Sequence, residues 1–171
     1  MKNRELDFVI DRLTDSIVNV YTGDSFQTEV SLLTKQELKT INKKNKWNFD
    51  WNIEYVDLTR EVYKLTITSS PHVVQGIVSL SKKKGYVEMN LLESAPFNIG
   101  KKKIYEGVAG NLVAYCCKVS FQSGFDGYVA FTAKTQLIIH YQKTLGAIHY
   151  RNQRMFIESD EAKKLVEKYF K

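Results

Sequence analysis

The stretch "KKKIYEGVAGNLVAYCCKVS", residues 101–120, holds the densest group of side chains whose types and spacing could do chemistry. Gly107, Ala109 and Gly110 open a run that otherwise reads as an apolar helix, although glycine is a poor helix former. Small residues there serve one of two ends. They let the helix sit close against a neighbouring element, or they let an anionic group reach the unpaired amides of a helix N-terminus. Lys101, Lys102 and Lys103, just upstream, are either a solvated loop or the positive charge beside such a group.

Other reactive side chains point to less. Cys116 and Cys117 are adjacent in a helical pattern with no histidine spaced to activate them, so they read as small core residues. With no third cysteine a disulfide framework is excluded, and a reducing compartment is expected. His72, His140 and His149 share no ligand spacing, so no metal site is expected. "WNFDW" sets Trp47, Phe49 and Trp51 on one side of an extended segment, as core packing or as a pocket wall.

The elements that must position these residues follow from pattern and punctuation. "RELDFVIDRL" reads as a short helix, and "DSIVNVYTGDSFQTEVSLLT" as extended chain turning around Gly23 and Asp24. Thr34 has Glu37 three places on, the spacing of a capping box for a short helix. "EVYKLTIT", "VVQGIVSLS" and "YVEMNLLES" follow with connections too short for crossovers, which predicts an antiparallel meander. The last of these places Glu88 and Asn90 on one face by two-residue alternation and Glu93 on the opposite one. The helix Gly107–Ser123 then leads to the strand "GYVAF", so that strand should lie parallel to "YVEMNLLES". "TQLIIHYQKTLG" ends at Gly146 as a helix, "AIHYRNQRMFIES" is a hairpin turning at Asn152 and Gln153, and Ser159 caps a final helix. The fold class is α+β (mixed α/β).

Composition sets outer bounds. An apolar fraction of 43% predicts a real core, and 171 residues without repeat, linker or low-complexity tract predict one domain over 1–171. The net charge of +6 suits an anionic ligand but is spread along the chain, too thinly to predict a nucleic-acid partner. The N-terminal "MKNRELDFVIDRL" carries charges inside its apolar pattern, unlike a signal peptide, and no apolar run approaches the ~20 residues that span a bilayer. A cytoplasmic protein with no membrane partner is expected.

With these elements in order, the chain resembles the GNAT acyl-CoA N-acyltransferase superfamily. That family links a strand to a helix through Arg/Gln-x-x-Gly-x-Gly/Ala, and "YEGVAG" stands in that place, with Tyr105 for the basic residue and Val108 for the first glycine. "HYQKTLGA" is similar to the Tyr and Leu-Gly tripeptide that end the family's next helix. Tyr141 takes the tyrosine position, and Lys134 stands where the family often has Asn. The resemblance covers Val62 to Ile157. It implies a GNAT-like central twisted mixed sheet, antiparallel strands plus one parallel strand–helix–strand crossover, flanked by helices. It further implies acetyl-CoA as cosubstrate without a metal, an amine acceptor (small molecule or protein), and a monomer or homodimer. The implied cofactor-binding residues are Leu91, Leu92 and Glu93 along the pantetheine arm, Lys103, Tyr105, Gly107, Val108, Ala109, Gly110 and Asn111 at the pyrophosphate, and Lys134. Tyr141 is the implied general acid for the departing thiolate. Glu88 is the implied base, directly or through a water chain. The alternative is a non-catalytic relative that keeps the fold as a ligand-binding or protein-interaction module.

Overall fold

A computed structural model of the chain describes residues 17–170; the helix expected over "RELDFVIDRL" lies outside them. β1 (Ile17–Asn19) and β2 (Ser25–Phe26) form a small hairpin, turning through Gly23 at φ 78° as the sequence suggests. β3 (Thr28–Leu32) follows and leads to α1 (Lys35–Leu38). The capping box is present in full: the Glu37 N–H donates to Thr34 Oγ1 at 3.2 Å and the Thr34 N–H donates to Glu37 Oε1 at 2.9 Å. α2 (Trp51–Val56) begins at the last residue of "WNFDW", which was expected to be extended. Asp50 starts it by accepting from the Asn52 N–H at 3.1 Å, a local cap that the aromatic spacing conceals.

The meander β4 (Glu61–Ile67), β5 (Gly76–Lys82) and β6 (Val87–Ser94) is antiparallel throughout. A two-residue strand, β7 (Tyr105–Glu106), pairs antiparallel with β1 and was not expected from the pattern. α3 (Val108–Gln122) then crosses to β8 (Val129–Thr132), which pairs in parallel with β6. α4 (Ile138–Leu145) ends at Gly146 with φ 65°. β9 (Ile148–Arg151) and β10 (Arg154–Ile157) form the closing hairpin, followed by α5 (Ser159–Tyr169). Glu158 rather than Ser159 occupies the N-cap position of α5, and no side chain caps it; Asp160 and Glu161 in the first turn serve the helix dipole instead.

The main sheet has seven strands in the order β3-β4-β5-β6-β8-β10-β9, and a second sheet of three strands has the order β2-β1-β7. On β5, Gly76 meets α3 so closely that an added Cβ would lie 2.6 Å from Val108 Cγ1, so Gly76, Val78 and Leu80 share the face that α3 covers. α3 packs on this face and α5 lies on α3; Leu112 and Cys116 of α3 and Ala162 and Leu165 of α5 are buried. Trp47 and Trp51 are buried core residues near the first strands of the meander, as the packing alternative for "WNFDW" requires.

The link from α1 to β4 is electrostatic. Lys64 Nζ pairs with Glu37 Oε2. Burial raises the pKa of the Glu37 carboxyl, but the bonds from Lys64 and Thr34 outweigh it and hold it below its ordinary value. A carboxyl held lower in the folded state adds stability above its unfolded pKa and loses it as pH falls through the folded one. Chemical denaturation should therefore show a loss of stability on acidification below about pH 4.5, and Glu37→Gln should flatten that acid limb while lowering stability at pH 7.

Candidate functional site

The site is built on β6, and its geometry turns on one irregularity. Leu80 pairs with Met89 but Ser79 pairs with Leu91, so Asn90 is an extra residue bulged out of β6. Glu88 lies opposite Ser81 and Glu93 opposite Ile77. Ser81 and Ile77 are an even number of residues apart on β5, so Glu88 and Glu93 share one face. This corrects the alternation from sequence, which set them on opposite faces. That alternation assumed an unbroken two-residue period, and the bulge breaks it.

Both carboxylates thus lie on the face away from α3. Glu93 is buried and accepts three N–H donors: Asn48 N at 2.7 Å, Phe49 N at 3.3 Å and Trp51 Nε1 at 2.9 Å. Its side chain is thereby committed to holding the segment that enters α2. Glu88 is held bidentately by Arg154, with Nη1 to Oε1 at 2.5 Å and Nη2 to Oε2 at 2.7 Å. Arg154 also donates to Thr132 Oγ1 at 2.9 Å and to the Tyr150 hydroxyl at 3.3 Å. The Glu88 hydrogen bonds push the guanidinium pKa further up, against the opposing effect of burial.

Next to this pair the sheet opens. β6 and β8 pair only at Val87↔Val129 and Glu88↔Ala130, although β6 continues to Ser94 and β8 to Thr132. Two contiguous pockets flank the Glu88–Arg154 pair. One, of about 410 Å³, is walled by Tyr86, Tyr128, Ala130, Tyr150 and Phe156. The other, of about 520 Å³, is polar and is lined by Lys83, Glu88, Asn90, Thr132, Asn152 and Gln153. Tyr86 and Arg154 border both.

The other expected site residues gather elsewhere. Tyr141 is fully buried on α4, edge-on to Phe131 at 5.7 Å. Phe131 follows Ala130, which faces with Glu88, so Tyr141 lies on the α3 side of the sheet and Glu88 on the other. Leu91 and Leu92 are buried on β6. Gly107 caps α3 at φ 92°, and Gly107, Val108, Ala109, Gly110 and Asn111 are all buried. Asn111 Nδ2 donates to the Gly107 carbonyl at 2.7 Å, and its Oδ1 accepts from Thr28 Oγ1 at 3.3 Å. A Cβ on Gly110 would lie 2.2 Å from the Tyr169 hydroxyl, so contact with α5 accounts for a small residue there. Upstream, Lys103 pairs with Glu106 at 3.7 Å and Tyr105 donates its N–H to Asn98 Oδ1 at 3.2 Å. Lys134 is half-buried at the N-cap of the short 3-10 turn 135–137. Burial pushes both the Cys116 and Cys117 thiols well up, which leaves them unreactive at neutral pH. Among the described residues no group of three or more His, Cys, Asp or Glu is placed to hold a metal ion, and no helix is long and apolar enough to cross a membrane.

Sequence reasoning missed Arg154, Tyr150, Tyr86 and Tyr128. The signal available was that Arg154 and Phe156 alternate onto one face of "RMFI", but nothing in the chain order set that face beside Glu88.

No family model and no curated protein matches the sequence. Solved structures match its shape. A chimera of the spermidine N-acetyltransferase SpeG of Vibrio cholerae and hSSAT superimposes with a TM-score of 0.57 at 17% identity, covering 81% of this chain and 99% of that one. SpeG of Vibrio cholerae in complex with CoA and spermine gives 0.55 at 15% identity, covering 80% and 98%. The chain has a GNAT-like fold. The expected twisted mixed sheet with one parallel crossover is thus met. At this identity the match is one of architecture.

Within that fold, Glu93 and Gly110 are the positions whose substitution separates packing from binding. Glu93→Gln keeps one acceptor oxygen for three donors, and should cost about 1–3 kcal/mol in denaturant unfolding, with red-shifted Trp51 emission. Gly110→Ala should cost about 1–3 kcal/mol by overpacking against Tyr169, and Tyr169→Leu in the same chain should recover part of that loss.

Proposed function

We propose that this protein is an acyltransferase that moves an acetyl group from acetyl-CoA directly to an amine acceptor. The observation that carries this reading is the separation of β6 from β8 immediately beyond Glu88↔Ala130, with Tyr141 on one side of the sheet and Glu88 on the other. A thioester laid between the strands would have a hydroxyl on one side and a carboxylate on the other. The fold likeness to SpeG with CoA and spermine adds to it.

The chemistry assigned to these residues balances as follows. A water anchored by Glu88, whose two oxygens Arg154 holds, takes a proton from the acceptor ammonium. The amine nitrogen attacks the thioester carbonyl, whose developing oxyanion is met by the β6 backbone N–H near Leu92. The nitrogen–carbon bond forms, the carbon–sulfur bond breaks and Tyr141 gives its proton to the departing thiolate, while the second proton on nitrogen leaves through the same water to solvent and a solvent proton restores the Tyr141 hydroxyl. The amides at the start of α3, with Gly107 supplying the left-handed cap, hold the pyrophosphate, and Lys103 and Lys134 add positive charge.

A second reading, a non-catalytic module on the same fold, is favoured by one observation. Gly107 to Asn111 are covered, so coenzyme A must displace neighbouring residues to reach those amides. Thermal shift distinguishes the two. Coenzyme A at one hundred times its Kd should stabilise the protein by about 2.7 kcal/mol, raising Tm by roughly 5–10 °C for a chain of this size. No shift at millimolar coenzyme A overturns the acyltransferase reading. If binding is found, Tyr141→Phe should lower kcat by about 10²–10⁴-fold with acetyl-CoA affinity nearly unchanged; lost stability with unchanged turnover makes Tyr141 a packing residue only.

A further inference from the structure

The two pockets beside Glu88 carry information about the acceptor. The apolar one is a bay of rings: Tyr86, Tyr128, Tyr150 and Phe156. The far wall is held by two contacts. Tyr150 lies edge-on to Phe156 at 5.5 Å, and its hydroxyl accepts from Arg154 Nε at 3.3 Å. Such a bay takes a flat apolar body by stacking and edge contacts.

The polar pocket fixes charge. Lys83, Arg154 and Glu88 are the formally charged residues bordering either pocket, two positive and one negative. Glu88 is already shared with Arg154 through both of its oxygens. The surplus of one positive charge calls for an anionic group on the ligand. A linear polycation, such as the spermine bound by SpeG, would meet a single carboxylate that is already neutralised, with Lys83 and Arg154 repelling it. Asn90 and Thr132 stand at the separation of β6 and β8, where the amine must reach the thioester.

Resting on the acyl-transfer reading above, we propose that the acceptor is an aromatic amino acid, its ring in the tyrosine-walled bay, its carboxylate toward Lys83 and its amine at Asn90 and Thr132.

The test measures thiol release from acetyl-CoA with L-tryptophan, tryptamine and spermidine, and, separately, tryptophan binding by saturation-transfer NMR without coenzyme A. L-tryptophan should exceed both rivals at least tenfold in kcat/KM. Tyr150→Ala should weaken tryptophan binding about threefold to tenfold, the worth of one aromatic contact. Lys83→Gln should narrow the preference for tryptophan over tryptamine about twofold to fivefold, as an exposed charge pair does. Tryptamine or spermidine matching L-tryptophan overturns the proposal and leaves acyl transfer standing. Tryptophan binding that depends on Tyr150, with no thiol released from any amine, upholds the pocket and fails the acyl-transfer reading. Absence of tryptophan binding in the folded protein overturns the proposal outright.

Discussion

The bulge at Asn90 is the constraint on which the site and much of the packing depend. β6 is paired along its length with β5 and has to present two carboxylates, five residues apart, to one face. An unbulged strand would turn Glu93 toward α3, whose Val108 and Leu112 side chains press on β5 there. Leaving a carboxylate there would cost several kcal/mol and force it to take up a proton. The extra residue turns Glu93 instead to Asn48, Phe49 and Trp51, where three donors offset its desolvation. Because those donors belong to the segment that starts α2, the bulge also fixes where the α1–α2 layer sits relative to the mouth of β6 and β8.

The opposite face obeys a different constraint, closeness. α3 lies so near β5 that Gly76 cannot bear a side chain, and α5 lies so near α3 that Gly110 meets the Tyr169 ring. The small residues at the start of α3 therefore answer to two demands at different positions. Gly110, one turn in, is a contact residue for α5. Gly107 is the cap: its φ of 92° is disfavoured for any residue with a Cβ, and its carbonyl is held by Asn111.

The fold was largely legible in the sequence because its determinants are local. Thr34 and Glu37 announce a helix start, Gly146 a helix end, and the short "KKKG" turn forces β5 and β6 to be antiparallel. Of the candidate site, only placements that follow chain order were legible: Tyr141 lies on α4 and Gly107 immediately before α3, as expected. What stayed hidden is non-local. A bulge leaves no mark on the hydrophobic pattern of "VEMNLLES", since Met89, Leu91 and Leu92 suit either register. Arg154 is 66 residues from Glu88, and their meeting requires β10 to lie beside β8, a neighbour relation that no short-range signal encodes. β7 is invisible for the same reason, because two residues become a strand only when β1 is there to pair with them.

Arg154 also explains how far the sheet can open. β8 lies between β6 and β10, and backbone pairing from β6 to β8 ends at Glu88↔Ala130. At that last rung the guanidinium reaches across β8 from β10 and takes both oxygens of Glu88, while also holding Thr132 on β8 itself. One side chain thus ties three adjacent strands at the point where their ladder stops. A bidentate pair has a fixed geometry, unlike a point charge on a flexible stem. It therefore sets the distance between β6 and β10 at the apex of the opening, and any group entering between β6 and β8 does so on the Ser94 side of this tie. The same pair that takes up both oxygens of Glu88 is thus what holds the opening between β6 and β8 at one width.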